Sequence, residues 1–165
     1  MMKIDPSKLT VRKADISDVP VLVAYRVRYL TELQGEMDER YKLKLVDDLT
    51  RYFDRALTDG RFIAFYARLE ETIVSFGGMV VKEIPGDIYK TSYLEGDILN
   101  MYTVPKARRQ GISSVILEAL LDEAKKRGIS KVALHTSKDG EKLYRKYQFS
   151  EPVYPYLERP INTDE

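Results

Sequence analysis

Asn100-Met101-Tyr102-Thr103-Val104-Pro105-Lys106-Ala107-Arg108-Arg109-Gln110-Gly111-Ile112-Ser113-Ser114 is the stretch on which the reading of this chain turns. An extended run meets Pro105, passes into a basic loop holding one glycine, and leads directly into an amphipathic helix. The first turn of a helix leaves backbone N–H groups without partners, and the macrodipole places partial positive charge there. Such an end is a ready anion site. Gly111 lets the backbone approach a ligand closely, Ser113 and Ser114 are small, and Arg108 and Arg109 add charge. A phosphate or pyrophosphate suits this arrangement. A solvated basic turn before a surface helix would use the same residues, so the local pattern by itself leaves both readings open. It is not a P-loop, since no Gly-Lys-Ser/Thr is present, and no G-x-G-x-x-G follows the first strand.

Outward from this stretch, the periodicity alternates between strand and helix. Downstream, Ile116, Leu117, Leu120, Leu121 and Ala124 share one face of a helix over Ser113 to Lys126, and Gly128 stands where a helix C-terminus favours glycine. Lys131 to Thr136 is expected as a strand, Gly140 to Tyr147 as a short helix, and Phe149 onward as a final extended segment. Upstream, Leu94 to Val104 is a strand, and Lys82 to Ser92, with Pro85 and Gly86, a loop. Phe62 to Ala67 and Ile73 to Val81 form a hairpin across Glu70-Glu71-Thr72. A helix from Glu39 to Leu57 stops at Asp59-Gly60. Before it, Val19, Leu22, Val23, Arg26, Val27, Leu30 and Leu33 recur at helical spacing after a capping Asp15-Ile16-Ser17-Asp18, and Gly35 ends that helix. Leu9 to Lys13 is the first strand. The order β, α, α, β, β, β, α, β, α, β describes an α+β or mixed α/β fold, expected as one domain over residues 1–165.

Composition sets the limits. With 44% apolar and 32% charged residues the chain is globular rather than disordered. Lys plus Arg is 27 against 26 acids, a net charge of +1, so there is no general attraction to nucleic acid or anionic membrane. The absence of cysteine excludes disulfides, thiolate metal sites and a cysteine nucleophile. One histidine, His135, cannot build a multi-histidine metal site and is expected to be structural. No apolar run is long enough for a membrane span and the N-terminus lacks a signal-peptide pattern, so no metal, no membrane and a cytoplasmic setting are expected. The basic clusters Arg12-Lys13, Lys42 to Lys44 and Lys142 to Lys146 lack aromatic interleaving, which argues against nucleic acid as a partner.

Val104-Pro105 followed by Arg108-Arg109-Gln110-Gly111-Ile112-Ser113 resembles the acyl-CoA signature of the GNAT superfamily of N-acetyltransferases, Arg/Gln-x-x-Gly-x-Gly/Ala. Ser113 departs from the small apolar position but stays small. Leu134 to Phe149, with Leu143-Tyr144-Arg145-Lys146-Tyr147-Gln148-Phe149, is similar to the family's closing Leu-Tyr-x-Lys-x-Gly-Phe element, Gln148 replacing glycine. The resemblance is firm from Leu94 to Phe149. It implies a GNAT-like central sheet, mixed and mostly antiparallel, flanked by helices.

The same resemblance implies that acetyl-CoA donates an acetyl group directly to a primary amine. The backbone of Met101, Tyr102 and Thr103 would line the acyl and pantetheine arm, and Arg108, Arg109, Gln110, Gly111, Ile112, Ser113 and Ser114 would hold the pyrophosphate. Tyr144 takes the position of the acid that protonates the departing thiolate, a sensible pairing because phenol and thiol have neighbouring pKa values. Tyr147 lies one helical turn away. Glu95 and Asp97 are weak candidates for a general base; strand alternation places them on the face opposite Asn100. Tyr25, Tyr29, Tyr41 and Tyr52 either shape an acceptor pocket or pack as amphipathic rings at the core edge. An alternative consistent with the same resemblance is a non-catalytic acyl-CoA-binding or sensing module. Exposed strand edges in this fold also make a homodimer a reasonable expectation. Neither the acceptor nor the acyl-chain preference is written in these residues.

Overall fold

The computed structural model describes residue 5 and residues 8–161. It divides into two compact units, one up to His135 and the other from Thr136 onward. The first contains β1 (Leu9–Lys13), α1 (Val19–Gln34), α2 (Glu39–Thr58), β2 (Phe62–Leu69), β3 (Thr72–Pro85), β4 (Ser92–Thr103), α3 (Ile112–Lys126) and β5 (Ile129–Leu134). Single 3-10 turns at Ile16–Asp18 and Pro105–Ala107 lead into α1 and follow β4. The second unit holds α4 (Lys138–Lys146).

The five strands run in sheet order β1-β2-β3-β4-β5, antiparallel except for the parallel β4–β5 pair. The expected mixed, mostly antiparallel sheet flanked by helices is therefore present. One face carries Phe62, Ala64, Tyr66 and Phe76 against Leu22, Val23 and Val27 of α1 and Phe53 and Ala56 of α2. The other faces α3, where a side chain at Gly77 would meet Ile116 and Leu120. Leu22, Phe53, Phe76, Ile116, Leu117 and Leu120 are fully buried, each stabilising the fold by about 2 kcal/mol relative to exposure.

Two expectations need correction. Lys82 to Pro85 is strand rather than loop, because Lys82↔Glu95, Glu83↔Leu94, Ile84↔Tyr93 and Pro85↔Ser92 extend the β3–β4 ladder; only residues 86–91 turn. The extended segment after Phe149 does not form a strand. Residues 148–161 are irregular and mostly exposed, and Pro152, Pro155 and Pro160 withhold the N–H groups that a ladder needs. No helix among the described residues is long and apolar enough to cross a membrane.

Candidate active site

Strand β4 changes character halfway along. From Leu94 to Ile98 it is paired on both edges, with β3 on one side and β5 on the other. The β5 ladder then ends at Ile98↔Leu134, while β4 continues beside β3 to Thr103. Among the described residues no strand covers the second edge from Leu99 to Thr103. At this point the β3–β4 register jumps from Gly78↔Leu99 to Phe76↔Tyr102, so Asn100 and Met101 together oppose Gly77. This is a β-bulge, and Asn100 adopts the left-handed φ of 60° that Asn tolerates better than most residues.

The bulge re-aims the strand. Met101 points toward α3, its sulfur beside the position a Gly77 side chain would need. Tyr102 points the other way, its ring edge-on to those of Tyr25 and Tyr29 of α1. Asn100 also reaches α1, accepting a hydrogen bond at Oδ1 from Arg26 Nη1. Asp97 lies opposite Val80, which packs on the α1/α2 core. Asn100 therefore shares a face with Glu95 and Asp97, contrary to simple alternation. Both acids are engaged in cross-strand ion pairs, Glu95 with Lys131 at 2.8 Å and Asp97 with Lys82 at 2.5 Å.

Thr103 ends the strand in a buried chain of hydroxyls. Its Oγ1 lies 2.8 Å from Ser75 Oγ and 2.9 Å from Ser113 Oγ, and Ser75 Oγ donates to the Tyr102 carbonyl at 3.0 Å. The departure at Ser113 thus has a structural use: its hydroxyl ties the first turn of α3 to β4 and, through Thr103, to β3.

The loop itself is shaped for an anion. Arg109 and Gly111 on either side of Gln110 both have left-handed φ, 62° and 78°. Such residues turn successive N–H groups into a concave nest, here opening onto the N-terminus of the 15-residue α3. A side chain added at Gly111 would meet open space, so glycine serves backbone conformation there rather than relief of crowding. Ile112 is buried and anchors the helix, and Ser114 N–H bonds back to the Gly111 carbonyl. Gln110 Nε2 reaches the Lys106 carbonyl at 3.5 Å, the outer limit of a hydrogen bond.

The two arginines divide the work. Arg108 Nε donates to the Thr103 carbonyl at 2.8 Å and its Nη2 pairs with Glu32 of α1. Its charge is therefore met within the protein. Among the described residues no hydrogen bond or ion pair holds Arg109, which leaves that cation available beside the nest. Glu32 also accepts from the Tyr102 hydroxyl; the Arg108 hydrogen bond is the larger reason its carboxyl lies below the usual glutamate range. Burial, and then the bond to Glu32, raise Tyr102 above the usual phenol value. A groove of about 480 Å³ in this unit is bordered by Arg28, Glu32, Lys42 and Tyr102. It runs along the flank of α1 that carries positions 24, 28 and 31 and reaches Val27 and Tyr102.

In the second unit, Ser137 caps α4 by accepting from Gly140 N–H at 3.2 Å. Tyr144 is buried on this helix, its ring edge-on to Phe149. Tyr147 is the C-terminal cap, and Gln148 adopts a left-handed φ of 65°, which explains why the related signature places glycine there. Among the four tyrosines upstream, Tyr25 packs on Phe76 and Tyr102 and bonds the Ile73 carbonyl at 2.8 Å. Tyr41 is largely exposed, and Tyr52 edges onto Phe53 and Phe62. Among the described residues no group of His, Asp or Glu could hold a metal ion.

Reading the sequence alone misses Arg26–Asn100, Glu32–Arg108 and Ser75. Each carried a faint signal: a cation in an apolar helical stripe, an acid on α1, a serine inside an apolar strand.

Comparison with known proteins agrees with this geometry. A predicted acetyltransferase from Clostridium acetobutylicum, solved with acetyl-CoA, is 32% identical over 92% of this chain and 96% of its own, with a TM-score of 0.79. A GCN5-related N-acetyltransferase from Ralstonia eutropha shares the fold at 22% identity, covering 93% and 98% of the two chains with a TM-score of 0.75. Glucosamine-6-phosphate N-acetyltransferase from Arabidopsis thaliana shares it at 18% identity, covering 92% and 97%, with a TM-score of 0.66. No protein of curated function matches the sequence. Residues 25–149 match the family described as acetyltransferase (GNAT), and with the one-third identity to the clostridial protein this establishes that the chain belongs to the GNAT acetyltransferase family.

Proposed function

We propose that this protein is an acetyl-CoA-dependent N-acetyltransferase, moving the acetyl group to a primary amine of a small molecule or protein by direct attack in a ternary complex. The observation that carries this reading is the half-open β4 running into the left-handed Arg109–Gly111 loop and the N-terminus of α3. A strand with one free backbone edge and an anion nest at its end suits a donor that is an extended amide chain joined to a pyrophosphate. The N–H groups of residues 109–113 hold the pyrophosphate, with Arg109 supplying charge. Backbone along Met101 to Thr103 aligns the pantetheine arm and offers an N–H to the thioester carbonyl as negative charge develops on it. The hydroxyl chain Ser75–Thr103–Ser113 fixes these two parts relative to each other.

Tyr144 donates the proton that the departing thiolate takes up. This assigns one catalytic domain to residues 1–165, consistent with a family match that runs across both units. Because Glu95 and Asp97 each hold a lysine, deprotonation of the amine falls to water rather than to a dedicated base. The setting we assign is the cytoplasm, where acetyl-CoA is available.

Release of CoA thiol from acetyl-CoA across a panel of amines, with a no-amine blank, tests the reading. Amine-dependent release is expected, and Tyr144→Phe should reduce turnover about 100-fold while leaving acetyl-CoA affinity nearly unchanged. Tight acetyl-CoA binding with no release from any amine would instead favour the sensing module. Equal turnover in the two proteins would remove Tyr144 as the acid.

A further inference from the structure

Arg26 is the one cation in the apolar stripe of α1 formed by Val19, Leu22, Val23 and Val27. A guanidinium placed among such neighbours loses hydration, and a desolvated cation normally recovers that loss from a carboxylate. Arg26 has no such partner among the described residues. Its contacts are the neutral Asn100 Oδ1 and the ring of Tyr29, 5.8 Å from the guanidinium carbon. The side chain is half-buried, and desolvation depresses its pKa, with the Tyr29 and Tyr52 hydroxyls acting against that. A guanidinium carries five N–H donors, and one is spent on Asn100.

Its location gives this uncompensated charge a use. Asn100 is the left-handed residue of the bulge, at the point where β4 parts from β5 and its open edge begins. The acids that share this face of β4 are already neutralised, Asp97 by Lys82 and Glu95 by Lys131, so they neither satisfy Arg26 nor repel an incoming anion. One planar cation with paired donors matches one planar monoanion. It is a poor match for a doubly charged phosphate, which would call for several cations.

We propose that Arg26 binds a carboxylate of the acceptor, so that the amine acetylated by this enzyme belongs to an amino-acid-like molecule. The inference rests on the acetyltransferase reading above and deepens it by naming the acceptor class. The competing role for Arg26 is to hold Asn100 in the bulge, which would affect all acceptors alike.

The test compares paired acceptors under one assay: phenylalanine, methionine and glutamate, each against its α-carboxamide. The wild-type protein should favour the carboxylates by tenfold or more in kcat/KM. Arg26→Gln and Arg26→Met should each reduce that ratio by about tenfold or more, whatever the absolute rates, and Arg26→Lys should lie between. An unchanged ratio in variants that acetylate both members more slowly would make Arg26 a positioning residue and overturn the proposal. A wild-type protein that acetylates the amides as well as the acids would overturn it and leave the transferase reading intact. If no acceptor turns over, the transferase reading is what has failed, and saturation-transfer NMR on the CoA-loaded protein decides the carboxylate site separately. Binding of phenylalanine but not phenylalaninamide, lost in either uncharged variant, supports the site. Absence of carboxylate binding overturns it. Should Arg26→Gln fail to fold, Arg26→Met, which keeps an apolar stem in the stripe, and the wild-type ratio decide between the same outcomes.

Discussion

The two halves of β4 share one strand yet obey different rules. From Leu94 to Ile98 both edges are hydrogen-bonded and the charged side chains are zipped to neighbouring strands, Glu95 to Lys131 and Asp97 to Lys82. From Leu99 to Thr103 no strand among the described residues covers one edge, the register shifts, and the buried side chains Asn100 and Thr103 are polar. The first half uses polar groups at the surface, where each contributes little. The second buries them in a connected set, where losing one orphans the others. Architecture is stored in the first half, and the second is where we propose the chemistry takes place.

Substitutions that break this contrast should differ in size accordingly. Gly77→Val puts a branched side chain opposite the bulge, where even a Cβ would stand 2.6 Å from Ile116 and Met101. Overpacking of that severity should cost about 3 kcal/mol in chemical denaturation. Thr103→Val keeps the volume but removes the middle of the hydroxyl chain, leaving Ser75 and Ser113 short of a partner. A loss of about 2 kcal/mol is expected, accompanied by weaker acetyl-CoA binding in calorimetry, because α3 loses its tie to the strand.

Glu32 grips the end of the open half through Arg108 and Tyr102, and its carboxyl titrates below the usual glutamate range. Its pairing therefore stabilises the fold fully above that range and is lost as pH falls through it toward the lowered folded value. Thermal melts of wild type and Glu32→Gln should converge on acidification and separate again at neutral pH. A separation that persists unchanged at low pH would show that the effect is not ionic. Asp97→Asn, in the zipped half, should change stability by less than about 1 kcal/mol, since both members of its ion pair are more than a third exposed. If Asp97→Asn proved as costly as Thr103→Val, the distinction between the halves would collapse.

Much of the architecture was legible in advance because the helices and the β2–β3 hairpin have strong periodicity and clear stops such as Gly35 and Asp59-Gly60. The left-handed loop before α3, which we propose binds an anion, drew attention for a local reason: its glycine, arginines and small residues are contiguous. What escaped was non-local. Lys82 and Glu83 look like loop residues until Glu95 and Leu94 are seen across from them. The tail after Phe149 looks extended, but its prolines keep it out of a ladder. Most consequentially, a bulge has no signature of its own. Period-two counting from Asp97 gives the wrong face for Asn100, because the extra residue is defined only by Gly77 on the neighbouring strand. Arg26 and Glu32 escaped for the same reason, since their roles depend on residues 74 and 76 positions away in the chain.

The bulge also limits how the length of this chain can vary. Loss of one residue between Leu99 and Met101 would remove the bulge, leaving Met101 alone opposite Gly77 and Tyr102 still opposite Phe76, so that what disappears is the left-handed residue whose side chain reaches Arg26. The ring stack and the hydroxyl chain would keep their faces, and the loss would fall on the contact between β4 and Arg26 alone. The exposed turn at residues 86–91 has no such contact to keep, because added residues there leave the ladder on either side in register. Insertions and deletions in chains built on this plan should therefore collect at that turn, and a chain that drops the extra residue of the bulge should also lose its use for a cation at position 26.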